Sequence, residues 1–206
     1  GALDLRLRKQ LQIELSRIQR DVGITFVHVT HDQEEAMSMA DAIAVMKDGR
    51  IDQLGTAEEL YDSPRTEFVA NFLGSSNLLD ARVLRNEGEL VELEADGARL
   101  MAPARRVAGL ADGPVRLGVR PEKLALRAAE DPGAGSGRWR NELAGVVTDA
   151  SFLGVSTQYV VRTDAGHELS VFAQNAGAGM ETLGPGRRVI AAWEPDHTFV
   201  VAKETP

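Results

Sequence analysis

The apolar run ITFVHV, at residues 24–29, most constrains what this chain can fold into. An unbroken, β-branched run of this kind is typical of a strand buried on both faces of a parallel sheet. Helical patterns flank the run: apolar residues recur at helical spacing between Leu7 and Ile18, and Asp32 with Glu35 forms a candidate capping box. We therefore predict helix, strand and helix in succession, which is an α/β arrangement.

More α/β elements are predicted to follow. A helix is expected over 33–40 and a second apolar strand over 42–46, and the turn after that strand has Gly49 where a positive φ is needed. Two short helices come next, the first of which is opened by a second capping box at Thr56 and Glu59.

The hydrophobic pattern of the sequence changes at about residue 77. Beyond it, short apolar runs alternate with turn residues, and no long helical pattern occurs. We predict an α/β domain over 1–76 and an all-β domain over 77–206. A Pro/Gly/Ser-rich linker near 129–138 divides the β domain into two similar blocks of strands, for which small barrels of the oligomer-binding type are the natural architecture.

Composition and missing motifs exclude several function classes. A net charge of −8 and 5% aromatic residues argue against a nucleic-acid partner. The absence of cysteine removes disulfides and thiolate chemistry and suits a cytoplasmic protein. No metal site is predicted, because His28 and His31 have no carboxylate at ligand spacing on the same face. No apolar stretch approaches the length of a membrane span, so any membrane role is expected to be peripheral.

His31 stands where the predicted strand ends and the next helix begins. In an open parallel sheet this edge lines the ligand crevice, because backbone N–H groups there favour anions. Two interpretations are open on this ground alone: His31 contacts a phosphate, or it hydrogen-bonds a neighbouring loop. The glycine-rich stretch DPGAGSGRW, at 131–139, lacks the lysine of a phosphate loop and is interpreted as linker.

Several motifs occur in a fixed order in the first part of the chain. They are GALD at 1–4, THD at 30–32, DGRI at 48–51 and GTAEELY at 55–61. In this order they closely resemble the carboxyl-terminal part of the ATP-binding subunit of ATP-binding cassette importers. GVRPEKL and SFLGVSTQYVV, later in the chain, are similar to the regulatory β extension of the same family.

The resemblance implies a fold and a set of functional residues. The implied fold is the α/β carboxyl-terminal part of a P-loop ATPase cassette, followed by an all-β region of oligomer-binding-type barrel modules. His31 resembles the switch histidine, which contacts the γ-phosphate of ATP. Two further groups resemble, respectively, the interface loop between two cassettes and the signature of the regulatory module: Gly1, Ala2, Leu3 and Asp4, and Val119, Arg120, Pro121 and Glu122.

The resemblance also implies that the chain is the tail of a longer subunit. The family's phosphate loop, signature motif and catalytic glutamate precede the GALD loop, and this sequence contains none of them. The full-length subunit is expected to be an ATPase that uses ATP and Mg²⁺, pairs with a second copy, and drives membrane-spanning permease subunits from the inner face of the plasma membrane. The chain as given is expected neither to bind ATP tightly nor to hydrolyse it.

The substrate and one alternative function follow from the same resemblance. GSSNLL and IAAWEPDHTFVVA look most like the spermidine/putrescine branch, so polyamines are the predicted cargo. Branches for iron(III), sulfate and maltose-type sugars share much of the pattern and stay open. The alternative function is a regulatory β module that binds a small ligand or a protein.

Overall fold

The computed structural model describes residues 2–108, 114–131, 140–175 and 183–203. Its first part contains four helices and a two-stranded antiparallel sheet. The helices are α1 (Ala2–Val22), α2 (Gln33–Met39), α3 (Ala57–Asp62) and α4 (Glu67–Phe72), and the strands are β1 (Ile43–Lys47) and β2 (Arg50–Gly55).

Helix α1 follows the predicted amphipathic pattern and ends where predicted, at Gly23 (φ 69°), whose N–H donates to the carbonyl of Gln19 at 2.9 Å. The apolar side chains that the structure describes on it, from Leu7 onward, are nevertheless exposed, with Ile13 at 67% and Leu7 at 57%. The described residues therefore leave the apolar face of α1 uncovered.

The prediction of a buried strand at 24–29 is wrong for this structure. The segment has no regular secondary structure, and Val27 and Val29 are 89% and 91% exposed. A strand exists only when a neighbour pairs with its N–H and C=O groups, and no described segment pairs with this one. Every strand pair in the described residues, including β1 and β2, is antiparallel.

Local signals between residues 48 and 59 are confirmed. The hairpin turn has Asp48 and Gly49 at positive φ (50° and 74°), and the Thr56–Glu59 capping box is fully formed. Helices α3 and α4 pack on the hairpin and bury a small core of Ile43, Val45, Leu60, Val69 and Leu73.

The rest of the described chain forms two five-stranded antiparallel sheets. Their strands are β3 (Asn77–Glu87), β4 (Leu90–Ala95), β5 (Ala98–Pro103), β6 (Val115–Val119), β7 (Ala125–Ala128), β8 (Asn141–Phe152), β9 (Ser156–Thr163), β10 (Glu168–Gln174), β11 (Arg188–Trp193) and β12 (Thr198–Ala202). The first sheet has the order β12-β6-β3-β4-β5, and the second has the order β10-β9-β8-β11-β7.

Sheet membership crosses the predicted linker, most of which lies outside the described residues. Strand β7 precedes the linker but pairs with β11, and β12, near the end of the chain, pairs with β6 of the first sheet. Each exchanged strand follows a short 3₁₀ turn that begins with proline, Pro121 or Pro195. The two sheets accordingly share one hydrophobic core, and the two blocks are not separate units.

Two asparagines join the sheets in matching ways. Asn77, the first residue of β3, exchanges hydrogen bonds with the backbone of Ser170 in β10 (2.9 and 2.7 Å). Asn141, the first residue of β8, does the same with Met101 in β5 (2.9 and 2.6 Å) and also donates to Thr198 Oγ1 at 3.1 Å. A buried amide thus ties the start of each block to the sheet of the other.

We expect Asn141→Ala to destabilise the chain by about 1–3 kcal/mol, because it leaves the buried polar groups around it without their partner. Asn71→Ala, at an exposed position in α4, is the control and should change stability by less than about 0.5 kcal/mol. Urea unfolding followed by the fluorescence of buried Trp193 measures both variants. Equal unfolding midpoints for the two variants would contradict the bridging role.

Candidate functional site

His31 is exposed, in the connection between the extended segment 24–30 and helix α2. The residues on either side of it are held by hydrogen bonds. Thr30 Oγ1 accepts from the N–H of Asp32 at 2.9 Å, and Asp32 Oδ1 accepts from the N–H of Glu35 at 3.1 Å. The backbone that carries His31 is thereby fixed at the start of α2.

The predicted capping box at Asp32 and Glu35 is only half formed: the Asp32 side chain accepts from the N–H of Glu35, but the Glu35 side chain points elsewhere. Its carboxylate accepts from Thr30 Oγ1 at 2.5 Å and lies 3.3 Å from His28 Nε2, instead of returning to the backbone of Asp32. The hydrogen bond from Thr30, with smaller contributions from Gln12 and His28, holds the pKa of Glu35 below its usual range against the opposing effect of burial.

The described residues around His31 fit a nucleotide only in part. His31 offers one exposed ring that can contact a phosphate, but its neighbours Asp32, Glu34 and Glu35 are acidic and oppose a polyphosphate. Within the described ranges no group of three or more His, Asp or Glu residues is arranged to hold a metal ion. The same part of the chain contains no helix long and apolar enough to cross a membrane.

The residues predicted to form an interface loop, Gly1–Asp4, are helical where the structure describes them. Ala2, Leu3 and Asp4 form the first turn of helix α1, and Gly1 lies outside the described residues. The physical reason is local, because no glycine or proline interrupts the helix-forming residues before Gly23.

The V-R-P-E residues lie together where the β region meets the short helices. Val119 ends β6, buried Pro121 opens the 3₁₀ turn, and the side chain of Arg120 extends between α3 and α4. Its Nη2 donates to the carbonyl of Tyr61 at 2.9 Å, and its Nη1 donates to the carbonyl of Ala70 at 2.7 Å. None of the described hydrogen bonds or ring contacts of Arg120 involves His31.

Gly118, immediately before the signature, allows a close ring contact. A Cβ at this position would lie 2.1 Å from the ring of Phe199 in β12. The ring centroid of Phe199 is in turn 5.5 Å from the Arg120 guanidinium carbon. A side chain at residue 118 would displace the ring that covers Arg120.

Tyr61 links the same helices to Glu122. Its hydroxyl donates to Glu122 Oε1 at 2.8 Å, and its ring lies 4.1 Å from the guanidinium carbon of Arg120. Burial, and next the hydrogen bond to the Glu122 carboxylate, raise the pKa of Tyr61 to about 12. The phenol is therefore kept protonated at the contact between the two parts of the chain.

The chain is similar to known proteins over nearly its whole length. Residues 117–201 match the family model of the TOBE domain. The spermidine/putrescine import ATP-binding proteins PotA of Acidothermus cellulolyticus and Thermobifida fusca are 44% and 43% identical to it over 97% and 98% of its length. The chain spans about half the length of these relatives, 51% of each.

A solved structure confirms the β architecture. The molybdate-bound crystal structure of the cytoplasmic molybdate-binding protein ModG superposes with a TM-score of 0.50 at 21% identity, over 62% of this chain and 96% of that one. The predicted oligomer-binding-type β modules are confirmed by this likeness and by the TOBE match. The resemblance to the ATP-binding subunits of cassette importers, with their regulatory β extension, is confirmed by the relatives.

Sequence reasoning missed two parts of these sites. Nothing in the pattern indicated that Glu35 binds Thr30, since its spacing from Asp32 favoured a capping box. The contacts of Tyr61 with Arg120 and Glu122 join residues about sixty positions apart. The only signal was that Tyr61 and the V-R-P-E residues both belong to motifs of the same family.

We expect the chain to lose stability as the pH rises from about 10 to about 12. In that interval the unfolded chain releases the Tyr61 proton, whereas the folded chain retains it, so alkali favours unfolding. Tyr61→Phe should remove this contribution, while Tyr159→Phe, as the matched control, should retain it. Urea midpoints measured across this range, together with tyrosinate absorbance, test the expectation. Identical pH profiles for Tyr61→Phe and the parent chain would refute it.

Proposed function

We propose that this chain is part of the ATP-hydrolysing, energy-coupling subunit of a cassette importer for polyamines. The observation that carries the proposal is the extent of the similarity. Relatives named as spermidine/putrescine import ATP-binding proteins align over nearly the whole chain, including both the α/β part and the β region. A shared β module alone would not give a match that also covers residues 1–76.

The proposal assigns a role to each part of the chain. Residues 1–76 contribute to the nucleotide-binding domain, and residues 77–206 form the regulatory domain. The complete subunit uses ATP and Mg²⁺, pairs with a second copy through a surface that includes Gly1–Asp4, and works with permease subunits at the inner face of the plasma membrane. The similarity of the chain to importer subunits supports these assignments.

His31 is proposed as the catalytic residue that this chain supplies. Its exposed ring, on a backbone held by Thr30 and Asp32, suits a group that contacts the terminal phosphate and stabilises charge there. This sequence contains none of the family's phosphate loop, signature motif and catalytic glutamate, which supports the further proposal that the chain alone neither binds ATP tightly nor hydrolyses it. The remaining phosphate contacts would come from elsewhere in the complete subunit.

In a subunit of the relatives' length that contains this chain, we expect His31→Ala to lower kcat for ATP about 100-fold or more. His167→Ala, in a turn of the β region, is the matched histidine control and should leave kcat unchanged. The chain by itself should show no magnesium-dependent turnover above its own His31→Ala variant.

The cargo is tested separately, with the assembled importer in vesicles. Spermidine or putrescine outside the vesicle should stimulate ATP turnover, and iron(III), sulfate or maltose should not. Stimulation by iron(III), sulfate or maltose would overturn the polyamine assignment alone.

Full ATP turnover by the His31→Ala subunit would overturn the catalytic assignment of His31.

A further inference from the structure

We propose that Arg120 of the V-R-P-E signature is the anchor that docks the β region onto helices α3 and α4. Under this proposal the signature has a positioning role and is not a ligand-binding sequence. The docking role of Arg120 is argued from the contacts of the described residues alone. Its consequence for regulation rests on the proposed function.

The guanidinium contacts the carboxyl-terminal ends of both helices. From α3 it reaches the carbonyl of Tyr61, and from α4 it reaches the carbonyl of Ala70 and, just beyond, Ser76 Oγ at 2.7 Å. The last carbonyls of a helix have no partner within the helix, so they are acceptors that need a donor. One planar group with donors in a fixed fork meets this need for two helices at once.

The environment of the anchor favours arginine over lysine. Arg120 is only 2% exposed, and the described acceptors of its hydrogen bonds are carbonyl and hydroxyl oxygens, with no carboxylate among them. Its charge is instead covered by the rings of Tyr61 and Phe199, at 4.1 and 5.5 Å. A compact ammonium would lose both the fork geometry and the stacking.

Two further contacts join the β region to the same helices. Tyr61 Oη of α3 donates to Glu122 Oε1. Arg116 of β6 lies 3.3 Å from Glu67 of α4. With three separate contacts, the interface resists rotation as well as separation.

The contacts make α3, α4 and the end of β6 one mechanical unit. Helices α3 and α4 share a core with the β1–β2 hairpin, through Leu60, Val69 and Ile43. A movement of the β region would therefore be passed to the part of the chain that carries His31. In the proposed importer subunit, this is the route by which the regulatory domain would act on the ATPase.

The test is amide hydrogen exchange of the 206-residue chain with Arg120→Met and Arg120→Lys. We expect amides of α3 and α4 to exchange about tenfold faster or more in both variants, because hydrogen bonds to a charged group are lost. Amides in the centres of β4 and β9 should keep their protection. Arg82→Met and Arg82→Lys, at an exposed arginine paired with Glu94, are the controls and should leave both regions unchanged.

Two outcomes would overturn the proposal. One is unchanged exchange in α3 and α4, and the other is an equal increase in the helices and in β4 and β9, which indicates general destabilisation. If the Arg120 variants do not fold, Ser76→Ala removes one acceptor of the anchor and should raise exchange in α4 alone. No local change in that variant would equally refute the docking role. If His31→Ala abolishes ATPase activity but leaves amide exchange in α3 and α4 normal, the catalytic role of His31 and the docking role of Arg120 are tested independently.

Discussion

One buried cation, the guanidinium of Arg120, joins the two parts of this molecule. A charge at 2% exposure is costly unless every donor is used, and here the donors meet the carbonyls that α3 and α4 leave unpaired at their ends. The guanidinium therefore supplies donors to the helix carbonyls, and the carbonyls supply acceptors to the buried guanidinium. The 3₁₀ turn that begins at Pro121 directly follows this arginine, and the ring of Phe199 lies 5.5 Å from its guanidinium carbon.

The β region depends on a different constraint, which is that neither sheet is complete from its own block. Strands β7 and β12 exchange places, and Asn77 and Asn141 fix the crossing with paired backbone hydrogen bonds. The buried side chains of both sheets then form one core. Since each sheet takes an edge strand from the other block, the two blocks are expected to fold and unfold together.

Short-range signals were predictable from the sequence, and long-range ones were not. The Thr56–Glu59 capping box, the turn at Gly49 and the alternating texture of the β region depend on residues a few positions apart, and the structure contains all of them. The strand predicted at 24–29 depends on a neighbour that the described residues do not supply. The partners of Arg120 are backbone carbonyls, which every residue carries, so no side-chain pattern could have indicated them.

Burial of the exposed segment at 24–29 is linked to the position of His31. Covering Val27 and Val29 would contribute about 1.5–3 kcal/mol for each side chain, and exposed apolar surfaces of this kind mark places where protein binds. The segment leads directly into Thr30, whose hydroxyl holds both Asp32 and Glu35. Whatever buries the run therefore also restrains the backbone that carries His31. In the proposed subunit, the neighbours that turn 24–29 into a strand and those that complete the phosphate site would belong to one domain, so catalytic geometry and strand burial would be gained together.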